Sequence, residues 1–167
     1  ILENDKDDTF LHLVDQFETK GRRVRSIEMY KNLVASYDDN KEGLKRFTQA
    51  YLACVTAVDE NIGQVLDAVN KTKLKENTIV IIASDHGWTM GEKEHVYKNS
   101  LWEESTRVPL IIRAPGVSKP NTKVNHPVSL IDVYPTLLDL AGLDFITKRN
   151  DKGRSLNGFS LNPFLKN

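Results

Sequence analysis

Ser84-Asp85-His86-Gly87 sets a carboxylate beside an imidazole, and Gly87 gives the chain a residue at which the backbone can turn sharply. Carboxylate oxygen and imidazole nitrogen are both metal donors, so Asp85 and His86 read as a compact pair of ligands. The plainer alternative is that Asp85 opens a turn and His86 is a loop histidine satisfied by its neighbours. Position favours chemistry, because the pair leaves the β-branched run Thr78-Ile-Val-Ile-Ile-Ala83. In open α/β sheets, functional groups collect at the carboxyl ends of strands. Lys98 follows in a stretch too polar for a core. Taken singly, such a lysine is ordinarily a solvated one.

The elements that must hold these residues can be read from apolar spacing. Leu44, Phe47, Tyr51, Cys54, Val58, Ile62, Val65 and Val69 recur at three- and four-residue steps, which predicts one face of a long helix. On that face Cys54 is expected to be a buried thiol, with no basic neighbour in sequence to favour the thiolate. The charged stretch Asn70–Asn77 turns the chain back into Thr78–Ala83, expected to be a central strand buried on both faces. A second strand is predicted over Val108–Arg113, closed by a turn at Ala114-Pro-Gly116. Ile131, Tyr134, Leu137, Leu138 and Ala141 then predict a helix capped by Gly142. Helix, strand, loop, strand, helix is an α/β order. Residues 1–43 are polar and charge-mixed and carry no motif; they are expected to form an insertion or loop-helix region ahead of 44–167.

The chain of 167 residues carries 23 basic and 23 acidic side chains. Such a balance excludes the broad positive footprint of a nucleic-acid binder. No apolar run approaches the roughly 20 residues of a membrane span. One cysteine leaves no internal disulfide to report on compartment. The start, Ile1-Leu-Glu-Asn, has neither an initiator Met nor a signal-peptide pattern, and the chain is expected to be an excised piece.

Ser84-Asp85-His86-Gly87, Gly91-Glu92, Lys98, Leu101-Trp-Glu-Glu104 and Arg107-Val-Pro-Leu-Ile-Ile112 together resemble the second half of a sulfatase of the alkaline-phosphatase superfamily. Val128–Gly142, Gly153-Arg-Ser-Leu156 and Leu161-Asn-Pro-Phe-Leu165 agree with it. Within the family, Asp85-His86-Gly87-Trp88 is most similar to iduronate-2-sulfatase-like enzymes. The resemblance implies an α/β fold of alkaline-phosphatase type, a mixed β-sheet flanked by helices on both faces, with residues 44–167 forming the C-terminal part of its catalytic domain. It implies a divalent cation, usually calcium, held partly by Asp85 and His86, and a sulfate oxygen bound by Lys98. Calcium prefers oxygen donors, so His86 is either a weak ligand or a hydrogen-bond partner of the nucleophile. Trp88 then faces the substrate's organic group or only packs. His95 lies in the loop expected to cover the pocket, where it contacts substrate, donates a proton to the leaving oxygen, or is a plain loop histidine. Arg107 and Glu104 are expected to pair, and His126 to be structural.

Sulfatases of this kind attack with formylglycine made from Cys or Ser in the context Cys/Ser-x-Pro/Ala-Ser-Arg, which this sequence lacks. Cys54-Val-Thr-Ala-Val58 does not fit it. The family's N-terminal aspartate pair is also missing, and Asp7-Asp8 and Asp38-Asp39 read as solvated. The expectation is therefore half of an active site: inactive alone, completed by the remainder of the same domain, and acting on a sulfated small molecule or glycan. Periplasmic, extracellular or lysosomal location is what the family implies. Two other readings stay open: a zinc-dependent phosphodiesterase of the same superfamily, and a non-catalytic domain with the same scaffold.

Overall fold

The computed structural model describes residue 5 and residues 24–145, 152, 153 and 155–166. Asp7-Asp8, His12, Arg154 and most of the polar N-terminal stretch lie outside them. Two compact units share the chain. One contains the described residues up to Asp67 together with His86–Pro109, and the other contains Ala68–Asp85 together with the described residues from Leu110 onward.

In the first unit, helix α1 (Val24–Ala35) is followed by the long helix α2 (Asn40–Asn70), whose last residues enter the second unit. Asp39, expected to be merely solvated, caps α2: its Oδ1 accepts the Lys41 N–H at 2.9 Å. The predicted helix is present, but its apolar face is not a core. Tyr51, Val58 and Val65 are exposed, and so is Cys54, which corrects the expectation of a buried thiol. Trp88 meets Tyr51 at 6.0 Å, but Val58 and Val65 stay exposed, so periodicity identified the helix and its apolar stripe but not a partner for most of the stripe. The rest of the unit is a hairpin-like pair, β2 (Thr89–Met90) antiparallel to β3 (Val96–Tyr97) in the register Thr89↔Tyr97, then the single-turn helix α3 (Glu103–Thr106). Arg107 pairs with Glu103, Nη1 to Oε1 2.7 Å, and not with Glu104 as expected. The i,i+4 spacing of a helical turn brings Glu103 beneath Arg107.

In the second unit, β1 (Val80–Ala83) pairs with β4 (Leu110–Arg113), antiparallel, with Ile81↔Ile112 and Ile82↔Ile111. Both strands fall inside the predicted runs. β1 is half-buried rather than enclosed on both faces, and Ala83 is exposed, because among the described residues its sheet has two strands only. At the end of β4 the expected turn forms, with Gly116 at φ 75° and the Ser118 hydroxyl accepting the Ala114 N–H at 2.9 Å. A 3-10 turn at Leu130–Asp132, closed by a capping box from Ser129, leads into helix α4 (Val133–Leu140). Gly142 caps it in the left-handed region at φ 64°, with Leu143 N–H on Leu138 O at 2.9 Å and Gly142 N–H on Asp139 O at 3.1 Å, the Schellman pattern.

The buried face of α4 is rotated from the predicted one. Pro135, Thr136 and Leu138 are buried, whereas Ile131, Tyr134 and Leu137 are exposed. Thr136 decides the rotation, since its hydroxyl donates to Asp132 O at 2.6 Å and accepts the Leu161 N–H at 2.8 Å, docking the chain that leads into helix α5 (Asn162–Leu165). His126 stacks on Phe164 at 4.9 Å, which agrees with a structural role.

Candidate active site

Asp85 ends the first of the second unit's two segments, Ala68–Asp85, and is exposed just past the carboxyl end of β1. His86 opens the second segment of the first unit, His86–Pro109, and the geometry there is explicit. Its Nδ1 lies 2.8 Å from Gly87 O and its Nε2 2.6 Å from Lys98 Nζ. A carbonyl can only accept and an ammonium can only donate. The ring is therefore neutral with its proton on Nδ1, given to Gly87 O, while the Nε2 lone pair receives Lys98. This pairing fixes the direction of the Lys98 amine and leaves its other N–H bonds for an anion.

Three features hold the pair in place. Gly87 N–H donates to Ser105 O at 2.8 Å and Trp88 N–H to Glu104 O at 2.7 Å, stitching the turn onto α3. The approach is so close that a Cβ on Gly87 would stand 2.0 Å from Glu104 O. On the lysine side, Tyr97 holds φ 93°, a conformation that costs a non-glycine residue about 1–3 kcal/mol. Its carbonyl takes the Thr89 hydroxyl at 2.5 Å and its ring meets Trp88 edge-on at 4.8 Å, contacts that offset the strain and aim the following residue, Lys98.

Trp88 sits between Tyr97 and Tyr51, 6.0 Å from the latter, so its ring is occupied in packing. His95 is fully buried, edge-on to Trp102 at 5.2 Å. It is part of the loop's interior rather than a solvent-facing side chain. The loop over residues 91–95 is held from the N-terminal side by Asp5. Its carboxylate accepts the Lys93 N–H at 2.7 Å, and the Lys93 ammonium reaches both the Asp5 carbonyl and, at 3.3 Å, the carboxylate. Lys93 and Glu94 both lie at positive φ, 56° and 55°, so the loop needs such a tie. The Lys93 backbone N–H, aided by its ammonium and opposed by burial, holds the Asp5 carboxyl below the usual carboxylate range.

Among the described residues no group of three or more His, Cys, Asp or Glu side chains could hold a metal. Calcium takes six to eight oxygens. Asp85 offers a carboxylate, but His86 turns both ring nitrogens to protein groups, so the described residues do not by themselves fit a calcium site.

A cavity of about 590 Å³ opens beside Lys98, lined by Tyr97, Lys98 and Asn99 together with Arg25, Ser26 and Met29 of α1. No sequence signal marks the α1 residues, because their position at the site is set by tertiary packing and no motif spans the gap between 26 and 97.

A family model described as Sulfatase matches residues 7–143. A sulfatase from Formosa agariphila is 43% identical over 108 residues, covering 65% of this chain and 21% of that protein. Among solved structures, the chain resembles a phosphonate monoester hydrolase from Silicibacter pomeroyi, with TM-score 0.68, 33% identity, and 75% of this chain and 23% of that one covered. It also resembles a protein in complex with its substrate D-glucosamine-2-N,6-O-disulfate, with TM-score 0.63, 32% identity, and 92% and 27% covered. The α/β fold of alkaline-phosphatase type expected from the sequence is the fold of these neighbours. The chain spans between a fifth and about a quarter of the length of the proteins named here.

Proposed function

The chain belongs to the sulfatase family, and from that premise we propose that it supplies the Lys98 half of the active site of a sulfate-ester hydrolase. The observation that carries the reading is the Lys98–His86 pair: an ammonium fixed by a neutral imidazole. Hydrolysis of a sulfate ester breaks an S–O bond and adds water, releasing an alcohol and inorganic sulfate. Negative charge is spread over the sulfate oxygens throughout and grows on the leaving oxygen. A pre-aimed ammonium binds the first and lowers the cost of the second. His86 acts through Lys98, orienting the amine without taking its charge.

In this reading residues 44–167 form the C-terminal part of a larger catalytic domain, and the segment alone is inactive. A divalent cation, calcium by family resemblance, would neutralise sulfate charge when bound, with Asp85 one of its oxygen ligands and the rest supplied from outside this chain; His86 is kept as its neighbour and weak ligand at most. The formylglycine nucleophile also lies outside. Trp88 and His95 shape the wall and the covering loop. Asp85-His86-Gly87-Trp88 supports placement near the iduronate-2-sulfatase-like enzymes. A sulfated small molecule or glycan is the substrate, and a periplasmic, extracellular or lysosomal setting follows from the family; no described helix is long and apolar enough to cross a membrane. The likeness to a phosphonate monoester hydrolase favours one second reading, hydrolysis of a phosphorus ester on the same scaffold.

The test is Lys98→Ala in the complete protein, assayed on aryl sulfate and on aryl phosphonate esters. Sulfate-ester turnover is expected to fall at least tenfold, as for loss of one charged contact to the transition state. Unchanged turnover removes Lys98 from the site. Hydrolysis of the phosphonate with the sulfate ester inert overturns the sulfatase reading in favour of the second.

A further inference from the structure

We propose that Ser105 is a positioning residue for the Lys98–His86 pair: its carbonyl holds the histidine turn and its hydroxyl holds the lysine turn. One residue of α3 thereby sets how the ammonium meets the imidazole. The inference rests on the sulfate-ester reading above for the use of the aimed ammonium, and it deepens that reading.

The bonds of Ser105 are the first ground. Its carbonyl accepts the Gly87 N–H at 2.8 Å, one residue past His86, and its hydroxyl accepts the Ser100 hydroxyl at 2.6 Å, two residues past Lys98. Ser100 in turn donates its backbone N–H to Lys98 O at 3.0 Å, closing the chain between them into a tight turn. An anchor on Ser100 is therefore an anchor on the Lys98 backbone. Lysine carries its ammonium on a long flexible stem, so its aim depends on where the stem begins. His86 and Lys98 stand twelve residues apart in sequence, and both of their turns are tied to this one residue.

Burial is the second ground. Ser105 is only 4% exposed, and a buried hydroxyl whose partner is removed is left unsatisfied, because water does not reach it to replace the bond. The tie is accordingly one the protein holds rather than exchanges with solvent. Strain is the third ground. Tyr97, immediately before Lys98, lies at φ 93°, a conformation that a non-glycine residue keeps only where its surroundings over-determine it. The Thr89 hydroxyl on Tyr97 O fixes the chain ahead of the lysine, and the Ser100–Ser105 bond fixes it behind. Cutting the second tie frees the turn over residues 98–100, and relaxation at Tyr97 then swings Lys98 away from His86.

The experiment places Ser105→Ala in the complete protein and in its Lys98→Ala variant, with two readouts. The first is kcat and KM on p-nitrophenyl sulfate. Ser105→Ala is expected to lower kcat about tenfold with a smaller change in KM, as for a misplaced charged group, and to cost nothing further where Lys98 is already gone. The second is the 15N resonance of His86 Nε2 in 15N-histidine-labelled protein, which is expected to move downfield as the unprotonated nitrogen loses the lysine hydrogen bond. Ser100→Ala removes the same bond from the less buried side and is expected to match Ser105→Ala in both readouts, whereas Ser100→Thr keeps the hydroxyl and both readouts. Equal losses with and without Lys98 would make Ser105 a purely structural residue and overturn the proposal, as would unchanged turnover by an active protein or an unmoved His86 resonance. If the complete protein leaves sulfate esters intact, the resonance alone decides: a downfield shift keeps the clamp while the sulfatase reading falls, and an unmoved one sinks the clamp as well.

Discussion

At Gly87 a single hydrogen atom in place of a side chain decides whether His86 can face Lys98. The turn donates two backbone N–H bonds to α3, and neither strand of that contact can retreat without losing them. With a Cβ built 2.0 Å from Glu104 O, Gly87→Ala is expected to destabilise the protein by about 3 kcal/mol, the upper range for overpacking. Urea unfolding measures it, and a loss below about 1 kcal/mol would show that the contact relaxes freely. The glycine was legible as a turn residue in the sequence. Its real reason, the carbonyl of Glu104 lying against it, was not, because seventeen residues of chain must fold before that carbonyl arrives. His86 is similar: its type suggested a metal ligand, and only the distances to Lys98 and Gly87 O gave it a tautomer and a partner.

Among the elements, the loop over residues 91–95 depends on a tie from far upstream in sequence. The Asp5 carboxyl is held below its ordinary value first by the Lys93 N–H, so its stabilising effect is complete above the unfolded-state pKa near 3.9 and is lost as pH falls through the lower folded value. Hydrogen exchange at the Lys93 amide, corrected for the intrinsic rate, is therefore expected to show constant protection from pH 7 down to about 4 and a decline below it. Asp5→Asn should expose the amide across the whole range, and equal protection in that variant would refute the tie. Helices and strands themselves were readable: α2, β1, β4 and α4 all fall where apolar spacing puts them. Which face of α4 is buried was not, because Thr136 outcompetes Tyr134 and Leu137 through hydrogen bonds to Asp132 and Leu161 that hydrophobic spacing does not encode.

For the molecule as a whole, the apolar stripe of α2 is the revealing surface. Val58 is 55% and Val65 63% exposed, although their spacing is that of a buried helix face. In the proposed larger domain that stripe meets structure outside this chain. Val58→Lys is then expected to change the stability of the isolated 167 residues by no more than about 0.5 kcal/mol, yet to cost the complete protein about 2–4 kcal/mol for burying a charge. Denaturant unfolding of both forms checks the contrast, and equal effects would mean the stripe stays exposed. The sequence by itself determined the family, the order of elements and the chemically able residues Asp85, His86 and Lys98, since these depend on residue type and on spacing along one strand, one helix or one short loop. Tertiary structure alone decided that Lys98 is aimed by His86, that His95 is interior, that Cys54 is exposed and that Arg25 shares the Lys98 cavity. The physical reason is the same for each: a hydrogen bond or a cavity wall is set by distances in space, and no local preference fixes the distance between residues far apart in the chain.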